Sequence, residues 1–347
     1  MLKKQLFGLH FTAVAILASA CATLELPSAS PAGVPDGAQP RAALPRAVEI
    51  EAIAGVVASD AEWVLAWQGT NNADGLVGLP GGSVIFAQEQ PRQIGRLNAH
   101  DNYTVYLYET RGVGSLSAAR NGHLYGVERT CTDPGRRSNE PCTEATAVSK
   151  IWPQRTILAD AYNGMPLGRL NDLTIDSRGG AYFTVGGAFY ADALGTVTRL
   201  SDNLQTNGII LSADETVLYV TNREVVVAFD VRQDGAVGNR RNFARLEAGG
   251  VGDGLAIDSM GRLYVTSNPG VQVFDRAGTY LGLIPTPRPS ISVAFAGIDK
   301  RTLYIVGSGA ALGPGGSEFI TPEGVRNNAK TIYRIDMLAQ GFLARPK

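Results

Sequence analysis

Short apolar runs separated by polar turns fill most of the chain, and one local pattern returns along it. The fullest copy runs from Asn171 through Leu173-Thr174-Ile175 to the turn at Gly179-Gly180 and the second run Ala181-Tyr182-Phe183-Thr184. A polar residue, then Gly or Asp, then Leu or Ile leads each copy, with Gly or Glu eight positions after the polar residue. The pattern recurs as Asp74-Gly75-Leu76 with Gly82, Asn207-Gly208-Ile209 with Glu215, and Asp253-Gly254-Leu255 with Gly261. Gly114-Ser115-Leu116 with Gly122 keeps the register without a side chain at the leading position, and Ser292 ahead of Val293-Ala294-Phe295 begins a fainter sixth copy. The second strands, counted from Ile85, Leu124, Tyr182, Leu218, Leu263 and Leu303, are 39, 58, 36, 45 and 40 residues apart. Propeller blades are four-stranded units with that period. The spacing predicts an all-β chain folded as a six-bladed β-propeller, with an insertion in the 58-residue step.

The N-terminal segment departs from this pattern. Lys3 and Lys4 precede an apolar run from Leu6 to Leu17, followed by Ala18-Ser19-Ala20-Cys21. The run is short for a membrane span and reads as a signal peptide over residues 1–20. Cys21 after a small residue points to a lipidated N-terminus and an exported periplasmic or outer-membrane lipoprotein; ordinary cleavage after Ala20 is the plainer alternative. Residues 21–46 are rich in Pro and Ala, bury little, and read as a disordered tether. Residues 47–347 are then the propeller. Net charge is −1 with charges dispersed, so no footprint for nucleic acid exists, and any membrane contact is expected through the lipid alone. A monomer is expected.

Cys131 and Cys142 bracket a polar, Pro-containing stretch inside the insertion. In an exported protein they read as a disulfide, contributing roughly 2–3 kcal/mol by closing a short loop. The only histidines are His10, His100 and His123, which leaves little material for a His-built zinc site or a Ser-His-Asp triad.

In a propeller the first strand of each blade lies nearest the axis, so one register position gathers around one point. Asp74, Asn171, Asn207 and Asp253 share that position. Each alone reads as a turn former, since Asp-Gly and Asn-Gly are common turn dipeptides. Their shared register favours a site: hard oxygen donors suited to Ca²⁺ first, then Mg²⁺ or Mn²⁺. Asp172, Asp176 and Asp258 are expected in supporting or turn roles.

Met165 through Leu173 with Ile175-Asp176, Thr206-Asn207-Gly208-Ile209 with Leu218-Tyr219, and Gly252 through Asp258 with Leu263-Tyr264-Val265 resemble the gluconolactonase/regucalcin (senescence marker protein) family. The resemblance covers roughly residues 74–306. It implies a six-bladed propeller that hydrolyses sugar lactones or related cyclic esters with one divalent ion in the central channel, Ca²⁺ foremost, with Mg²⁺, Mn²⁺ or Zn²⁺ as alternatives. It further implies that Asp74, Asn207 and Asp253 are metal ligands, that Asp253 is the catalytic base, and that Arg169 and Asn171 bind a small lactone or sugar-acid substrate. Asp74 stands where the family normally has Glu. Thr184-Val185 replaces a frequent Thr-Asp, and the strand ending Glu128-Arg129 lacks the histidine of many relatives.

A second reading is a tethered, non-catalytic propeller that binds a protein or glycan; it requires the four axial residues to splay apart. The segment Ser308–Lys330, with Gly313-Pro314-Gly315-Gly316, is expected to serve as a lid or docking loop. Thr331–Ile335 is expected to close the sixth blade beside a strand at Val48–Glu51.

Overall fold

The computed structural model describes residues 45–129, 145–310, 320–321, 324–325 and 330–343. The leader with Cys21, nearly all of the tether, the Cys131–Cys142 loop and most of Ser308–Lys330 lie outside the described residues.

Among the described residues there is no helix; the chain forms six four-stranded antiparallel sheets. It enters through β1 (Val64–Gly69) and then builds its first complete blade from β2 (Asp74–Gly78), β3 (Val84–Gln88), β4 (Gln93–Leu97) and β5 (Tyr103–Leu107). The second blade is β6 (Val113–Ala118), β7 (Leu124–Glu128), β8 (Ala147–Trp152) and β9 (Thr156–Ala159). A small ribbon of β10 (Ala161–Tyr162) and β11 (Met165–Pro166) leads to the third, β12 (Leu173–Ile175), β13 (Ala181–Thr184), β14 (Ala188–Ala191) and β15 (Val197–Arg199). The fourth is β16 (Thr206–Leu211), β17 (Val217–Asn222), β18 (Val225–Val231) and β19 (Val237–Arg245). The fifth is β20 (Leu255–Ile257), β21 (Leu263–Thr266), β22 (Gly270–Phe274) and β23 (Tyr280–Pro285). β24 (Ser290–Ala296) and β25 (Thr302–Ser308) open the sixth, a ribbon of β26 (Ile320–Thr321) and β27 (Gly324–Val325) follows, and β28 (Lys330–Asp336) pairs with both β25 and β1.

The blade period and the place of Thr331–Ile335 therefore agree with the sequence pattern, but the closing strand does not. The outer strand of the sixth blade is β1, with Leu65 opposite Tyr333, and not Val48–Glu51. Ile50 instead packs beside Ile53, Val56 and Val57 in an apolar cluster with residues of the fifth and sixth blades, Tyr264, Val293 and Phe295 among them. Its apolar side chains are satisfied by packing between blades, so that segment needs no ladder. Trp67 of β1 lies on Phe86 and Tyr103 of the first blade, with ring centroids 4.9 and 6.1 Å away, which joins the two ends of the ring.

The inner strands owe their register to a turn made the same way in every blade. Eight positions after the axial residue stand Gly82, Gly122, Gly179, Glu215, Gly261 and Lys300, and all six have left-handed backbone, with φ of 89°, 82°, 88°, 61°, 76° and 57°. That region disfavours most side chains, which is why four of the six are glycine. Glu215 and Lys300 use their side chains there to join blades. Glu215 accepts from the Ser177 amide (2.8 Å), and the Lys300 ammonium donates to the carbonyl of Gly78 (2.6 Å).

Candidate active site

The turns fix one end of the inner strands, and a row of threonines fixes the other. Asn171 and Asp253 precede their strands, and their amides donate to the carbonyls of Thr184 (2.8 Å) and Thr266 (2.9 Å). The Thr184 hydroxyl donates to the Asn207 carbonyl (2.6 Å) and accepts from the Asp172 amide (3.1 Å). Thr221 does the equivalent one blade on, donating to the Asp253 carbonyl (3.3 Å) and accepting from the Gly208 amide (2.7 Å). Thr184, Thr221 and Thr266 are fully buried. Each of the first two thus clamps the axial residue of the next blade. The sequence carried that signal as Tyr-Phe-Thr and twice Tyr-Val-Thr, at Tyr182, Tyr219 and Tyr264.

Asp74, Asn171, Asn207 and Asp253 line one small pocket, together with Ser115, Asp172 and Ser292. The same four line an adjoining open cleft of about 410 Å³ that also takes in Arg129, Arg169 and Lys330. The Asn171 amide donates to Asn207 Oδ1 (2.7 Å), and the Asn207 side chain in turn hydrogen-bonds the Asp253 carboxyl. Burial pushes the Asp253 carboxyl well above the usual carboxylate range; the charges of Asp74 and Asp172 add to this, and Asn207 and Arg129 oppose it. Asp74 accepts from the Gly75 amide through Oδ1 (2.8 Å), and its Oδ2 is 3.7 Å from the Arg129 guanidinium.

All five positions expected to bear on the chemistry, Asp74, Arg169, Asn171, Asn207 and Asp253, meet at this cleft, with Arg169 exposed at its rim. Arg129, Glu89 and Lys330 escaped the sequence reading, whereas Asp172 takes the supporting role expected of it. Arg129 is buried and ion-paired with the buried Glu89, and its guanidinium occupies the space that a Cβ at Gly114 would fill. The bare axial position of the second blade is therefore used, by an arginine from the end of its second strand. Asp172 stands where the other axial segments have Gly75, Gly208 and Gly254, and it ties three blades together. Its oxygens accept from Ser115 Oγ (2.6 Å), the Leu173 amide (2.9 Å) and the Ile209 amide (3.0 Å). Lys330, at the start of β28, is buried in the cleft wall; burial lowers its pKa, and the carboxylates of Asp74 and Asp253 work against that.

Among the described residues no three His, Cys, Asp or Glu side chains gather as a metal cage, so any metal would rest on a mixed set of carboxylate and amide oxygens. The residues present fit a hard divalent ion. The charge of Asp74 raises the charging cost of Asp253 across the pocket, which a cation between them would relieve. The Asn207 carbonyl oxygen keeps a second lone pair after accepting from Asn171.

Residues 89–309 match the SMP-30/gluconolactonase/LRE-like region. The chain belongs to this family. Family membership agrees with the resemblance carried by the axial motifs. A gluconolactonase of Zymomonas mobilis is 26% identical over 296 residues, covering 73% of this chain and 78% of that protein. Among solved structures, a gluconolactonase of Xanthomonas campestris superposes with a TM-score of 0.64 at 22% identity, covering 86% of this chain and 99% of that one. A calcium-binding protein, regucalcin of Agrobacterium tumefaciens, gives 0.59 at 16% identity, covering 80% and 94%. At these identities the two structures speak for the six-bladed fold.

Proposed function

We propose that this family member is a metal-dependent lactonase that opens a sugar lactone or related cyclic ester to its hydroxy acid. The observation that carries the reading is the meeting of Asp74, Asn171, Asn207 and Asp253 on one pocket, where the non-catalytic alternative needed them apart. The gluconolactonase relative supports the reaction class, and the calcium-binding regucalcin neighbour supports the ion. Asp74, Asn207 and Asp253 would hold one divalent cation, Ca²⁺ ahead of Mg²⁺, Mn²⁺ or Zn²⁺. Bound there, it would act as a Lewis acid toward the lactone carbonyl.

The protein's own groups do the rest. Asp253 accepts the proton of the water that attacks the carbonyl carbon. Asn207 fixes the orientation of that carboxyl, and Asn171 fixes Asn207. Asn171 and Arg169 hold the ring substituents so that the carbonyl faces the water. Collapse of the adduct breaks the bond from acyl carbon to ring oxygen, and the proton held by Asp253 returns to the alkoxide. On the leader motif, we place the reaction outside the cytoplasm, on a lipid-anchored chain with a Cys131–Cys142 disulfide.

Hydrolysis of a panel of aldonolactones with Ca²⁺, Mn²⁺, Zn²⁺ or EDTA tests the proposal. Turnover that needs metal and disappears in Asp253→Ala supports it. A folded, metal-binding protein without turnover on any cyclic ester would overturn it.

A further inference from the structure

The blades that supply the axial residues are not joined alike. Between the third and fourth, a group of hydrogen bonds crosses at the cleft end. Asn171 Nδ2 donates to Asn207 Oδ1 (2.7 Å), the Ile209 amide to Asp172 Oδ2 (3.0 Å), the Thr206 hydroxyl to the Gly187 carbonyl (2.8 Å), and the Thr184 hydroxyl to the Asn207 carbonyl (2.6 Å). Opposite the axial segments of the first two blades the second strands present Ala87 and Val127, which carry no hydroxyl. Asp74 is held in other ways, by the Gly75 amide and beside the Arg129 guanidinium.

Thr184 touches three successive residues of the site. Its carbonyl accepts from the Asn171 amide (2.8 Å), and its hydroxyl lies between the Asp172 amide (3.1 Å) and the Asn207 carbonyl (2.6 Å). An amide can only donate and a carbonyl can only accept, so the direction of the hydroxyl proton is fixed toward Asn207. The side chain is fully buried and branched at Cβ, which restricts its rotation and holds the oxygen between the two blades. A valine there would keep the shape and leave the Asp172 amide and the Asn207 carbonyl short of a buried partner, so the junction would shift to satisfy them. Any such shift moves the Asn207 backbone, and with it the side chain that accepts from Asn171 and bonds the Asp253 carboxyl.

Resting on the lactonase reading, we propose that Thr184 is a positioning residue of the metal site. Its hydroxyl seats Asn207 across the blade junction and thereby sets how tightly the site holds a divalent ion. Thr221 does the same for Asp253 more loosely, since its Oγ1 lies 3.3 Å from both the Gly208 and the Asp253 carbonyls.

The test is calorimetric titration of the full chain with Ca²⁺, without substrate, beside urea unfolding of each variant in EDTA. Thr184→Val is expected to weaken Ca²⁺ binding by about 10- to 100-fold, the range for groups that orient metal ligands. Thr184→Ser, which keeps the hydroxyl and lacks only the methyl, is expected to recover most of the affinity, and Thr221→Val to lose less than Thr184→Val. A Thr184→Val protein that is less stable in urea but binds Ca²⁺ as the wild type does would reduce the hydroxyl to a structural bond and overturn the proposal, with the lactonase reading untouched. Equal weakening in Thr184→Ser would assign the effect to the methyl group and overturn it as well. If Thr184→Val does not fold, Thr221→Val decides in its place, and wild-type affinity there counts against the proposal. A wild type that binds no divalent ion would remove the metal from the lactonase reading and this inference with it.

Discussion

The two ends of the inner strands carry the same kinds of residue under opposite conditions. At the turn end, Asp258 is fully buried and accepts from the Met260 and Arg262 amides (2.9 Å each), Arg262 Nε (2.6 Å) and the Tyr264 hydroxyl (3.0 Å). Asp176 repeats the arrangement with Arg178, Gly180 and Tyr190, and burial pushes the Tyr190 phenol up to about 12. At the cleft end, Asp253 faces two like charges and its carboxyl is held well above the usual range. The lysines divide in the same way. Lys300, at the turn end, meets only carbonyls, whereas Lys330, at the cleft end, stands among carboxylates. Charge at the turn end is matched by the fold itself. At the cleft end the Asp253 carboxyl faces like charge from Asp74 and Asp172, and that difference separates framework from chemistry where residue type does not.

Asp253 should break the comparison most sharply. We predict that Asp253→Asn lowers turnover by about 10³-fold, within the range for loss of a general base. The metal-free variant should be no less stable than the wild type. A carboxyl whose folded pKa is raised contributes stability below its unfolded pKa and loses it as pH rises through the folded value, so at neutral pH the charge works against the fold. Lactone hydrolysis and thermal unfolding in EDTA check both halves. A fall in Tm as large as that of a turn-end variant would erase the distinction.

The converse is Asp258→Asn, which should cost about 3 kcal/mol of stability by unpairing Arg262 and weakening the turn. Activity per folded molecule should stay within about twofold, because the carboxylate lies at the far end of its strand from the cleft. Denaturant titration beside kinetics at low temperature measures the pair of effects. Metal linkage sharpens the contrast further. Ca²⁺ at a hundredfold excess over its Kd should stabilise the wild type by about 2.7 kcal/mol, and Asp74→Ala should lose most of that gain. A Tm that rises equally in Asp74→Ala would move the ion away from the axial residues.

Much of this was legible because the repeat is local. The axial residue and the left-handed turn eight positions on lie in one short segment, so a single chain displays both. The same register brought Asp74, Asn171, Asn207 and Asp253 to one pocket. What escaped depends on partners distant in sequence. Arg129 gains its place from the absent side chain of Gly114 and from Glu89 in the neighbouring blade. Lys330 belongs to a strand that returns after β26 and β27, and no local pattern ties it to Asp74. The closing strand failed for a related reason. Val48–Glu51 alternates as a strand should, but its apolar side packs into a gap between blades, and Trp67 on Phe86 selects β1 instead.

The smallest effect tests the turn-end lysine. Burial pushes Lys300 down to about 8 from its ordinary 10.5, with its ammonium donating to the carbonyls of Gly78 and Phe295. The folded protein therefore releases that proton before the unfolded chain does. Between the two values the unfolded state binds more protons, so stability rises with pH. Going from pH 7.5 to 9.5 should add about 2 kcal/mol, taking 1.36 kcal/mol for each unit above the folded value. Tyrosines with raised pKa values oppose this rise as their unfolded phenols begin to ionise near pH 9.5, and that contribution is common to the wild type and Lys300→Met. Urea unfolding of the wild type and Lys300→Met at both pH values isolates the contribution as the difference between their slopes. Equal slopes would mean that the ammonium stays charged at the turn end, held there by Gly78 and Phe295, and that buried charge is matched at this end of the strands even without a carboxylate.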